Sequence, residues 1–256
     1  MNIALHVADW HQDLEGVQLL LASPETEIDA LDDIGCTALA FAVFKNDFVI
    51  ASVLIEAVAD PKVEPDELLP SIVAFDGSVR KRPTTADPKI TELLIKAGAN
   101  CNTMYRGVNL LRCTTAMKCL LPLTRAFIQG GADLNWQCRQ GYTALHSAVR
   151  PVNPKAVKLI LDAGADPNLK CYQSSTPLHH LLYQILTNRN EMLSIMEVTG
   201  DLLTYGADPG SIGFKEFTPA HYAAEHGMWK VLRMLTAAGA DILLKDNVGN
   251  TALHSV

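Results

Sequence analysis

Two short patterns recur in step along this chain, and their shared period limits what it can fold into. The first is Thr143-Ala144-Leu145-His146, Thr176-Pro177-Leu178-His179, Thr218-Pro219-Ala220-His221 and Thr251-Ala252-Leu253-His254, with threonines 33, 42 and 33 residues apart. The second is Gly-Ala-Asp or Gly-Ala-Asn, starting at Gly98, Gly131, Gly164, Gly206 and Gly239, at intervals of 33, 33, 42 and 33. Two independent markers with one period and one common nine-residue slip indicate tandem units, each of which buries its apolar face only against its neighbours. Weaker copies stand earlier, in Ile3-Ala4-Leu5-His6, Thr37-Ala38-Leu39-Ala40 and Val58-Ala59-Asp60. A hydroxyl beside an imidazole suggests a nucleophile and its base, but a catalytic dyad is not stamped along a whole chain. The repeated histidine reads as architecture.

One unit, residues 142–174, shows the logic. Thr143 is a good helix N-cap, because its hydroxyl accepts from the orphan N–H groups of the first turn. The next position is proline in two copies, Pro177 and Pro219, where a fixed φ and a missing N–H cost nothing. Leu145, Ala148 and Val149 give a short first helix one apolar face. Val157, Ile160 and Leu161 do the same for a second helix. Gly164 stands where a helix ends in a left-handed residue. The polar stretch from Asp166 onward suits a tight β-hairpin finger.

These residues resemble the ankyrin repeat, whose signature is T-P-L-H-x-A followed by a G-A-D loop. Residues 217–249, FTPAHYAAEHGMWKVLRMLTAAGADILLKDNVG, follow that pattern along their full length. The resemblance implies an all-α repeat solenoid of helix-turn-helix-hairpin units stacked in a linear, curved array. It also implies a single domain over 1–256, with units at about 1–35, 36–67, 68–107, 108–141, 142–174, 175–216 and 217–249 and a partial unit at 250–256. The fourth unit departs most, with Leu110-Leu111-Arg112-Cys113 falling where Thr-Pro-Leu-His is expected, and a looser joint is expected there.

Two units carry extra residues. Residues 75–89, with Arg80-Lys81-Arg82, read as an exposed loop of solvated charge, with a nuclear-import or acidic-partner patch as the alternative. In the sixth unit the insertion lengthens the helical pair, with Met192, Ile195 and Met196 as packing residues. The final stub opens an eighth unit, so the natural product is expected to continue past 256 or the stub to fray.

No phosphate-binding glycine loop, H-E-x-x-H or G-x-S-x-G pattern occurs. His11 and His226 follow a repeat histidine by five residues and the adjacent His179 and His180 point to different faces, so no metal or other cofactor is expected. Asp32-Asp33 aligns with Asp246-Asn247 of the last finger and reads as a turn rather than a catalytic pair. The six cysteines show no C-x-x-C pair, consistent with reduced thiols in cytoplasm or nucleus. The most apolar window, 37–59, is broken by Lys45-Asn46-Asp47, so no membrane partner is expected. A net charge of −7 argues against nucleic acid. A non-catalytic monomer with protein partners is the expectation.

By the resemblance, partners are bound on a concave face built from first helices and fingertips. Carried onto this sequence, those positions are Arg139, Gln140, Tyr142, Arg150, Lys170, Tyr172, Gln173, Tyr183, Gln184, Phe214, Lys215, Phe217, Glu225 and His226. Tyr142, Phe217 and Tyr183 serve equally well as packing against the adjacent repeat. The alternative role is a substrate-recognition arm of a ubiquitin-ligase adaptor or of a larger enzyme chain. The resemblance also marks Asn102, Asn135 and Asn168 as positions where some ankyrin asparagines are hydroxylated, against a plain hydrogen-bonding role in the finger.

Overall fold

The computed structural model describes residues 4–33, 35–62, 87–105, 108–117, 120–183 and 192–255. Arg80-Lys81-Arg82 and most of the 75–89 loop, together with Gln184, lie outside those residues. The chain divides into two compact bodies, Met1–Leu110 with Gln129–Ala132, and Leu111–Ile128 with Asp133–Val256.

In the first body, α1 (Ala4–Trp10) pairs with α2 (Leu14–Leu21) and α3 (Ala38–Phe44) with α4 (Phe48–Glu56). First helix stacks on first (α1 on α3), second on second (α2 on α4), and α5 (Pro88–Lys96) continues the second row. The first body ends in a two-stranded antiparallel finger, β1 (Met104–Tyr105) with β2 (Val108–Asn109), and the second opens with the helices α6 (Leu110–Thr115) and α7 (Leu121–Gln129). The second body repeats the scheme with α8 (Ala144–Val149) and α9 (Pro154–Asp162), α10 (Pro177–Tyr183) and α11 (Met192–Thr204), and α12 (Pro219–Glu225) and α13 (Trp229–Ala237). The stub forms a short 3-10 helix, Ala252–Ser255, packed on α12. Ile195 on α11 is fully buried, as its spacing requires.

Local chemistry sets the boundaries. Several first helices open on threonine: Thr37 Oγ1 accepts from Ala40 N–H at 3.2 Å, and Thr143 and Thr218 close capping boxes. Second helices open on Asp or Asn: Asp13, Asp47, Asp87 and Asn153 each accept from a first-turn N–H at 2.9 to 3.4 Å. Every second helix after α2 is followed by a left-handed residue, which is Val58 after α4 and glycine at 98, 131, 164, 206 and 239 after the others.

The fingers carry less β-structure than hairpins would. Among the described residues only Met104–Tyr105 and Val108–Asn109 form strands; the other fingers close on one backbone rung, to which the last adds an isolated antiparallel bridge between Lys245 and Thr251. Cys138 N–H donates to Tyr142 O at 3.1 Å, Cys171 to Ser175 at 3.0 Å, Gly213 to Phe217 at 2.8 Å and Asp246 to Asn250 at 2.7 Å. Asp32 sits in the same rung with Cys36 at 2.9 Å, and its carboxylate accepts from the Cys36 N–H, as Asp246 does from Val248 and Asn250. Both are turn residues. Successive fingers are stitched together by Tyr172 N–H to Gln140 O and by Asn247 N–H to Lys215 O. The carboxamides of Asn135 and Asn168 accept from Asp166 and Asp208 N–H at 2.9 and 2.8 Å, so each ties its finger to the next.

The fourth unit is in a different register from the one expected. Helix α6 begins at Leu110 as α8 begins at Ala144, so Asn109-Leu110-Leu111-Arg112 stands where Thr143-Ala144-Leu145-His146 stands one unit later. Leu111 and Leu145 are both fully buried, and Arg112 takes the place of the repeat histidine. The signature is shifted by one residue, because a fully buried leucine must fall at its third position.

Val58 occupies the left-handed helix end with φ of 70°, where the other units have glycine. A β-branched side chain there is strained, and at 81% exposure it gains little from packing. Replacement by glycine (Val58→Gly) should therefore raise stability by about 1 kcal/mol after the entropy of the unfolded glycine is deducted. Urea denaturation measures this, and a loss of stability would show that Val58 is unstrained.

Asp9 is fully buried on α1, and neither carboxylate oxygen finds a well-aligned hydrogen-bond partner among the described residues. Burial pushes its pKa up to about 7, the Asp47 carboxylate pushes the same way, and the Lys45 ammonium opposes both. The folded state favours the protonated acid, so the stability it contributes is complete below the ordinary value of 3.8 and is lost as pH rises through about 7. Hydrogen exchange of α1 and α3 amides should slow as pH falls from about 8 to 5.5 after correction for intrinsic rates, and Asp9→Asn should abolish that trend. An unaltered trend in the variant would assign it to another group.

Candidate functional site

The threonine–histidine pairs have the geometry of a dyad and the environment of a strut. Thr143 Oγ1 lies 2.9 Å from His146 Nδ1, and the pairs Thr176–His179, Thr218–His221 and Thr251–His254 each lie at 2.8 Å. In each pair the threonine backbone N–H also donates to Nδ1, which makes Nδ1 an acceptor and leaves the proton on Nε2. That proton is donated to a main-chain carbonyl of the next finger: His146 to Ser175 at 3.1 Å, His179 to Phe217 at 3.2 Å and His221 to Asn250 at 3.2 Å. His6 makes the same bond to Cys36 O at 2.9 Å. Thr143, Thr176 and Thr218 are fully buried, so no substrate reaches their hydroxyls.

Burial holds His146 and His179 down to about 4, against the backbone hydrogen bonds that favour the proton, and burial lowers His180 to about 4 as well.

His146, Cys171 and His180 place one donor atom each within 4.8 Å of one another, with Cys171 Sγ 3.6 Å from His180 Nε2. No sequence spacing marks this cluster, because it joins three separate stretches from two units. His146 has no lone pair to give, since Nδ1 accepts from Thr143 and Nε2–H is donated to Ser175. Cys171 and His180 alone fall short of the three or four protein ligands of a zinc site.

Beside these struts the second body presents one groove of about 910 Å³. Its residues obey the repeat register. Counting from the repeat threonine, the fourth positions are Ser147, His180 and Tyr222, and the seventh are Arg150, Tyr183 and Glu225, one helical face three residues apart. The residues just before the threonine are Tyr142, Ser175 and Phe217, and the fingers add Gln173, Phe214 and Lys215. Arg112 joins from α6; its Nε donates to Ser147 Oγ at 3.0 Å and its guanidinium lies 6.0 Å over the Tyr142 ring.

Eight of the positions carried over from the resemblance line this groove: Tyr142, Arg150, Gln173, Tyr183, Phe214, Lys215, Phe217 and Glu225. Tyr142 and Phe217 are half-buried against neighbouring rings, with Tyr142 5.0 Å from His180 and Phe217 5.2 Å from Tyr222. Tyr183 and Phe214 are 56% and 51% exposed, with their outer faces open. Lys215 adopts φ of 56° and Glu216 φ of 60°, two consecutive left-handed side-chain-bearing residues that set the Lys215 ammonium 5.6 Å over the Phe214 ring.

Other positions from that set lie elsewhere. Arg139, Gln140 and Tyr172 are exposed on the fingers, Tyr172 at 80%, and none lines the groove. Lys170 donates its ammonium to Ile212 O at 3.0 Å, tying two fingers, and His226 caps the end of α12. Arg112, Ser147, His180 and Tyr222 were not in the set. The last three are the residues directly after the repeat histidine, so the period itself marks them, whereas Arg112 becomes visible only once the fourth unit is shifted by one.

Residues 128–181 match the family described as ankyrin repeats in many copies, and residues 215–247 match a single ankyrin repeat. These two segments are ankyrin repeats. It is 27% identical over 173 residues to the B-cell lymphoma 3 protein homolog of Mus musculus, covering 66% of this chain and 37% of that protein. It is 40% identical over 52 residues to the potassium channel GORK of Arabidopsis thaliana, covering 20% of this chain and 6% of the channel. The chain thus spans well under two thirds of either relative. Among the described residues no helix of this ankyrin array is long and apolar enough to cross a membrane.

The imidazole pKa values give a pH dependence with a definite sign. Folding favours the neutral rings, so the stability they contribute is complete above the ordinary value of 6.5 and is lost as pH falls toward about 4. Hydrogen exchange of α8 and α10 amides, corrected for intrinsic rates, should quicken from pH 7.5 to 4.5, about tenfold or more. Constant protection would mean that these rings charge without penalty.

Proposed function

We propose that this ankyrin array is a protein-binding module without catalysis of its own, and that the groove of its second body is the contact surface. The observation that carries this reading is the division of labour along each unit. Three of the four threonine–histidine pairs are buried and spent on holding fingers, while the positions beside them present exposed Tyr183 and Phe214 together with Arg150 and Lys215. Aromatic and arginine side chains converging on a concave surface are the composition in which interfaces concentrate their energy.

A role as the recognition arm of a larger assembly is the second reading. It draws support from the two relatives, in which the matched ankyrin segments occupy a minor part of much longer chains. Both readings place the contact in the same groove.

Introducing a photo-crosslinking phenylalanine analogue at Tyr183 should yield covalent adducts with a partner in cells, and the same analogue at Lys155 on α9 should not. Removing both exposed rings, Tyr183→Ala with Phe214→Ala, should weaken capture of that partner about thirtyfold or more while the helical circular dichroism is kept. Equal crosslinking at Lys155, or capture unaffected by the double substitution, would move the contact surface elsewhere.

A further inference from the structure

The charge of the groove points to the chemistry of what it binds. The whole chain carries −7, yet among the described residues the charged side chains lining this groove are Arg112, Arg150 and Lys215 against Glu225. The imbalance is also ordered along the groove. Arg112 and Arg150 lie at the end nearer the fourth unit and both act electrostatically on the Tyr142 phenol, whose ring sits between the fourth and sixth units' side chains. The sixth and seventh units contribute Lys215 and Glu225, of opposite charge, together with the aromatic Tyr183, Phe214, Phe217 and Tyr222. The histidines of the groove are neutral near pH 7 because they are buried, so they do not blur this pattern. Arg150 is exposed and makes no hydrogen bond or ion pair with another described residue, which leaves its guanidinium available to a ligand. Arg112 owes its place to the register shift of the fourth unit, which sets a permanent cation where the following unit has the neutral imidazole of His146.

We infer that the groove takes an acidic peptide segment of a protein partner, with an Asp or Glu carboxylate seated at Arg112 and Arg150 and an apolar side chain on Tyr183, Phe214 and Phe217. This deepens the proposed function and rests on the groove being the contact surface. Neighbouring helix rows lie about 8–10 Å apart and an extended strand rises about 3.3 Å per residue. An acid and an apolar residue about three to four positions apart in an extended segment therefore span the two subsites. A guanidinium pair favours a carboxylate through charge-assisted, bidentate hydrogen bonds, and the aromatic stretch supplies the apolar burial that charge alone lacks.

The test is selection from a display library of random dodecapeptides against the 256-residue chain, followed by titration of fluorescein-labelled copies of the enriched sequences. Expected are peptides with Asp or Glu about three to four residues from an aromatic or aliphatic residue, bound more weakly as salt is raised. Arg150→Gln should weaken them about fivefold and Arg150→Glu beyond about tenfold. Because Arg112 also holds Ser147, Arg112→Gln is read only alongside an unchanged melting temperature, and Arg150→Glu carries the test should it fail to fold. Neutral or basic peptides whose binding is lost in Tyr183→Ala with Phe214→Ala would overturn the acidic inference while leaving the groove as the contact surface. Peptides indifferent to every groove substitution, or no enriched peptide at all, would overturn both. A twelve-nucleotide single-stranded DNA that displaces the selected peptides at equal concentration and at physiological salt would replace the inference with nucleic-acid binding.

Discussion

The second body rests on one hydrogen bond, made three times along it: an imidazole Nε2–H donated to a backbone carbonyl of the following finger, at 3.1 to 3.2 Å. Its direction is not left to chance. The threonine N–H and hydroxyl both meet Nδ1, which fixes the tautomer and aims the opposite nitrogen across the joint. At His146 and His179 burial strengthens the bond and suppresses the charged ring in the same stroke, since a low local dielectric favours neutral donors with partners and disfavours ionised ones. The helices then have little to do beyond stacking like on like, first row on first and second on second.

This arrangement separates structure from recognition at the level of single positions. In one turn of the first helix the third residue after the threonine is committed to the frame, and the fourth and seventh are open to vary. That is why Ser147, His180 and Tyr222, or Arg150, Tyr183 and Glu225, differ from unit to unit without disturbing the struts beneath them. The same separation explains the two acid–base tendencies. Buried imidazoles make the second body prefer neutral pH, whereas the buried Asp9 carboxyl in the first body prefers acid.

Much of this was legible in the sequence because the signal was printed several times over. Thr143 and His146 alone suggest chemistry; their three further copies turn them into caps and struts. Val58 in place of glycine is visible from its distance to Thr37, and the structure adds the backbone strain it carries there. The fourth unit was harder to read. Its signature lacks threonine, proline and histidine, so alignment by period alone landed one residue late, and only the burial of Leu111 sets the register. Finger side chains were harder still. Lys170 and Tyr172 look alike as exposed polar and aromatic residues, yet the Lys170 ammonium is spent on Ile212 O while the Tyr172 ring is not. The convergence of His146, Cys171 and His180 left no trace in spacing, because it depends on how two units meet.

The strut between units ends on a carbonyl oxygen, an atom that every residue supplies. Ser175, Phe217, Asn250 and, in the first body, Cys36 serve equally well as acceptors. A whole unit can therefore be duplicated, deleted or exchanged by recombination without a matching substitution in the unit it lands beside. Lineages of such chains are free to change length and groove together in a single genetic event.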